Sequence, residues 1–183
     1  MINRRCVSLA SDRAIPWLRQ LSPLRLQSQR VAFDTKLIEA QIALKLITPE
    51  NMPRIAWDAL ESGLDGPAIR RLAALDNPTY FEVADLLPGV MQELGISQIA
   101  VSRAAARMAR NMAQLVLDGA DDPMKHLCDF ESPWIRANYP TDLAVLGTLE
   151  DEVWIAQASG QSEAQIRQWV TSTLSDFVNS HND

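Results

Sequence analysis

Apolar residues recur along this chain at intervals of three and four, and strict two-residue alternation over a strand-length run is hard to find. A pattern of that period buries one stripe of a helix and cannot cover one face of a sheet. The expected fold is therefore all-α: a compact bundle of about seven to eight helices joined by short capped turns, with a short array of helical hairpins as a variant. Val31, Phe33, Leu37, Ile38, Ile42 and Leu46 place a first long helix at about residues 28–47.

The helix ends carry their own signals. Thr48, Pro49 and Glu50 supply a cap, a first-turn proline and an acid suited to the helix dipole, which starts a second helix running to about Ser62. Gly63 fits the left-handed position after that helix, and Asp65 is the expected cap of the next, which ends near Leu75. Thr79 and Glu82 match a capping box, as do Ser162 and Gln165. Pro88 and Gly89 predict a kink or break in the helix that starts at Tyr80. Ser97 is the expected cap of the longest helix, about residues 98–118, with Val101, Ala105, Met108, Met112 and Leu115 on its inner stripe. Asp122 and Pro123 open a shorter helix through about Phe130, an irregular stretch covers 132–140, and Thr141 caps a helix to about Ala158. Gly-x-Asp-x-Pro occurs at 63–67 and again at 119–123, an echo that ordinary helix junctions also select.

Residues 1–30 carry six arginines and one acid, so a formal charge of +5 is followed by −11 over the remainder. We read 1–27 as a basic arm or short helix and 28–183 as a single helical domain. Arginine with serine and few acids is also the composition of a mitochondrial transit peptide. No window reaches the roughly 18 uninterrupted apolar residues of a membrane span, and two cysteines, Cys6 and Cys128, fit a reducing compartment, so a cytoplasmic location is expected.

Signatures of catalysis are sparse. His126 and His181 are the two histidines, and a Cys128 thiol two positions from His126 on a helix points away from it, so Cys128 reads as a small core residue. Phosphate-binding glycine loops, a nucleophile elbow and His-Glu-x-x-His are missing. No Glu has a His three residues later, so the sequence calls for neither a di-metal site nor a cofactor.

Charge and tryptophan remain. Between 111 and 166 ten acids face two bases, among them Asp118, Asp121, Asp122, Asp129, Glu131, Glu150, Asp151 and Glu152. A solvated face explains such a run, and so does a surface that steers a basic partner. Trp57, Trp154 and Trp169 stand beside apolar neighbours and are expected in or half in the core. Trp134 and Tyr139 lie in a proline-bounded stretch, either as interface anchors or with Trp134 plugging the core. The sequence thus points to a non-enzymatic protein that occludes a basic protein partner through these acids with Trp134 and Tyr139, a toxin-neutralising immunity protein being one concrete form. The competing reading is nucleic-acid binding through Arg103, Arg107 and Arg110, one stripe of a helix; docking of that stripe across a homodimer is a third.

Overall fold

The computed structural model describes residues 33–119 and 122–181. Among them are nine α-helices and no strand, slightly more helices than the pattern predicted: α1 (Thr35–Ala43), α2 (Met52–Glu61), α3 (Pro67–Ala73), α4 (Tyr80–Glu93), α5 (Val101–Asp118), α6 (Leu127–Arg136), α7 (Ala144–Gly147), α8 (Leu149–Ala158) and α9 (Glu163–Ser180). No helix among the described residues is long and apolar enough to cross a membrane. The arm at 1–27, its boundary with the domain and the middle of the second Gly-x-Asp-x-Pro lie outside the described residues.

Two packed groups share the domain from Phe33 onward. In the first, α3 lies against both α2 and α4, and Met52, Ala56, Ala59, Ile69, Leu72, Val83, Leu86 and Val90 make its core. In the second, α5 packs on α1, α6 and α9. Its buried face is Ala104, Ala105, Met108, Ala109, Met112 and Ala113, and four alanines on that face leave room for close approach by three neighbours. Each fully buried Ile or Leu, such as Ile69, Leu146 or Leu174, contributes about 1.5–3 kcal/mol of transfer free energy. Among the described residues no buried side chain is polar.

Both capping boxes form as read, Thr79 with Glu82 and Ser162 with Gln165. Gly63 takes its left-handed turn at φ 87°. Several other expectations are corrected. The first helix described starts at Thr35 and ends at Ala43. Helix α4 continues unbroken through Pro88; the amide that Pro88 lacks would have served Ala84, an exposed residue, and Val83, Leu86 and Val90 hold both halves of the helix on the core. Helix α6 likewise runs past Phe130 to Arg136, with Pro133 buried inside it. The long helix begins at Val101, and the two ends of its expected inner stripe, Val101 and Leu115, are exposed. Helix α8 is separated from α7 at Thr148, and Thr141 sits in a preceding 3-10 turn.

Ser97 and Asp65 do not cap helices. The Ser97 amide and hydroxyl both donate to Glu39 Oε1 at 2.8 Å. Asp65 pairs with Arg70, while the start of α3 is closed by Glu93, whose carboxylate accepts from the amides of Ala68 and Ile69 at 3.0 and 2.9 Å. A distant side chain thereby satisfies two of the orphan donors of a short helix.

Candidate interaction surface

Helix α8 buries Leu149, Val153 and Ala156, a stripe spaced four and three residues apart. Its outward side then carries Glu150 and Asp151 one turn before Trp154 and Ile155. Trp154 is 63% exposed and Ile155 is 51% exposed, so Trp154 is not the core residue its neighbour Val153 suggested. Its ring stands about 100° around the helix from Val153, off the buried stripe. Trp57, 56% exposed, departs from expectation in the same way, and Trp169 is also exposed.

Helix α6 packs on α7 and α8 and brings Glu131 to the same place. Partial burial, with the charges of Glu150 and Asp151 added to it, pushes the Glu131 carboxyl above the usual glutamate range. Three of the predicted acids are thus assembled by the fold into one negative site. Ile135, one turn beyond Glu131, is exposed as well. The result is carboxylates bordered by apolar side chains, the composition that lets charge orient a partner while an aromatic ring supplies buried area.

The remaining predicted residues fall elsewhere or serve the protein itself. Asp118 accepts from Gln114 Nε2 at 2.8 Å. Asp122 caps the amide of Met124 at 3.1 Å and pairs with Arg167 of α9, which holds its carboxyl below the usual range. Asp129 lies 3.1 Å from His126 Nδ1. Glu152 is exposed on α8, and Asp121 lies outside the described residues. Trp134 is half-buried: its indole donates to the Pro140 carbonyl at 3.2 Å, and its ring lies where a side chain on Gly147 would be. Tyr139 is exposed and meets Trp134 edge to face, ring centroids 4.9 Å apart. Cys128, expected in the core, is exposed because Leu127, Phe130 and Pro133 occupy the inner face of α6.

The arginine stripe is divided. Arg107 pairs with Glu39 at 2.6 Å and donates to the Lys36 carbonyl at 3.1 Å, which ties α5 to α1. Arg110 donates to the Val178 carbonyl of α9 at 3.4 Å. Arg103 is exposed on the first turn of α5. Among the described residues no three His, Cys, Asp or Glu side chains converge as a metal-ligand set. No protein family, curated protein or solved structure matches the chain.

Proposed function

We propose that this protein is a non-enzymatic interaction module that binds a basic protein partner through the surface of Glu131, Glu150, Asp151, Trp154 and Ile155. The observation that carries this reading is the exposed Trp154 one turn after Glu150 and Asp151, whose charges also act on Glu131 of a second helix. An indole mostly in water adds little to the core, and tryptophan buried on association is a frequent source of binding energy. The carboxylates match lysine and arginine on the partner and speed its approach. Occlusion of a basic active surface, as by a toxin-neutralising immunity protein, is the concrete form. It calls for a cytoplasmic setting and for no cofactor.

Nucleic-acid binding through Arg103, Arg107 and Arg110 has less support, because Arg107 and Arg110 bind groups of α1 and α9.

The test is capture from native lysate with wild type, Trp154→Ala and Glu150→Lys with Asp151→Lys, at about 50 mM and again at about 500 mM salt, where exposed charges are screened within a few ångströms. A basic protein retained by wild type at low salt and lost by each variant supports the reading. A partner that both variants retain places recognition on another surface and ends it.

A further inference from the structure

Asp65 and Gly66 stand in the short connection between α2 and α3. Both oxygens of the exposed Asp65 carboxylate are taken by one guanidinium: Arg70 Nε donates to Oδ1 at 2.7 Å, and Arg70 Nη2 donates to Oδ2. The Gly66 amide bears on the same carboxylate, and the Asp65 carboxyl is held below the usual aspartate range by Arg70 and, more weakly, by that amide. No backbone carbonyl among the described residues accepts the Gly66 amide. A peptide nitrogen without a Cβ on its own residue to shield it therefore lies beside the Asp65 carboxyl group.

We propose that Asp65 is a site of spontaneous succinimide formation and isoaspartate modification, and that Arg70 holds the reaction in check. In ring closure the Gly66 nitrogen attacks Asp65 Cγ, a C–N bond forms, and the carboxyl hydroxyl leaves with the amide proton as one water. Hydrolysis of the five-membered ring consumes one water and opens either carbonyl. One product is aspartate again; the other is isoaspartate, in which the main chain runs through Cβ and Cγ. Only a protonated carboxyl can lose its hydroxyl in this way. A carboxylate bound bidentately to arginine stays ionised and is a poor electrophile. A second Asp-Gly pair serves as the comparison. Asp118 is the last residue of α5, where helical backbone turns the following amide along the axis and away from the side chain, and its carboxylate accepts from Gln114. Ring closure in the folded protein thus belongs to the loop pair. The added methylene of isoaspartate moves Gly66, and with it the gap that admits Glu93 to the amides of Ala68 and Ile69, so the modification loosens the start of α3.

The experiment ages the full chain at neutral pH and physiological temperature and measures isoaspartate at 65 and at 118 by chromatography of the protease-released peptides. Arg70→Ala raises the rate at 65 severalfold over wild type and leaves 118 unchanged, and Arg70→Lys falls between the two. An exposed ion pair adds little to stability, so an unchanged circular dichroism spectrum accompanies the faster reaction. Asp65→Glu combined with Arg70→Ala abolishes the product at this position, because a six-membered ring closes far more slowly than a five-membered one. Equal rates at 65 in wild type and Arg70→Ala, or no isoaspartate there in either, overturn the proposal. So does a rise at 118 in step with that at 65, since it assigns the modification to unfolded chain and not to the loop.

Discussion

Glu39 and Arg107 meet at 2.6 Å with only 12% and 15% of their side chains exposed, and the same Glu39 carboxylate closes the turn before α5 through Ser97. Burial alone would raise the Glu39 carboxyl, but hydrogen bonds from Arg107 and Ser97 and the charge of Arg107 outweigh it and hold the group below 4.5. Removing one partner leaves the other charge half-buried, so Glu39→Ala or Arg107→Ala costs about 3 kcal/mol in urea unfolding. An unfolded glutamate takes up its proton before the folded one does. The pair's contribution is therefore complete above 4.5 and is lost as pH falls through the lower folded value. Glu39→Gln flattens that part of the acid limb; an unchanged limb would show that the pair contributes no pH-dependent stability.

Gly66 leaves the space that the Glu93 carboxylate occupies against α3. Its φ of −174° is open to any residue, so strain is not the reason for glycine here. A methyl at 66 displaces Glu93 from two amides, and Gly66→Ala costs about 1–2 kcal/mol, the worth of a lost cap. In a Glu93→Ala background the same change costs nearly nothing. A double-mutant cycle reads that difference as coupling of at least about 1 kcal/mol, and additive losses would separate the two residues.

The two tryptophans of α6 and α8 respond oppositely to truncation. Trp134 is half-buried over Gly147, so Trp134→Ala costs about 1–3 kcal/mol, and Gly147→Ala, which drives a methyl into a rigid ring, a similar amount. Trp154→Ala changes the unfolding free energy read from urea titration by less than about 0.5 kcal/mol, because an exposed ring has little folded-state packing to lose. A large loss at Trp154 would assign its ring to packing and remove the reason for reading it as an anchor.

Features satisfied within three residues were legible in the sequence: Thr79 with Glu82, Ser162 with Gln165, and the turn at Gly63. Those that depend on a distant side chain were not. Ser97 looks like a cap until Glu39, 58 residues earlier, takes both of its donors. Pro88 and Pro133 look like breaks until packing holds the helix across them. For Trp154 the signal was present, since Leu149, Val153 and Ala156 define the buried stripe of α8 and 154 falls off it. The meeting of Glu131 with Glu150 and Asp151 has no local signature, because it is made by the packing of α6 on α8.

That meeting yields the prediction that best separates a binding surface from a merely solvated one. Glu131 is raised by burial and by two neighbouring carboxylates, so its folded form holds a proton at pH values where the unfolded chain has lost it. Its contribution is favourable in acid and turns into a cost as pH rises through the folded value. Glu131→Gln removes the repulsion and stabilises the protein at neutral pH by on the order of 0.5 kcal/mol, the scale of a like-charge pair on a helix. Glu150→Gln acts in the same direction by relieving the same pair. If the surface serves a partner, each change that stabilises the fold also weakens capture of that partner, because the repulsion is maintained by the charge the partner neutralises. Urea midpoints and capture measured on the same two variants decide it: a gain in stability with capture intact would mean that these acids repel one another without serving that partner.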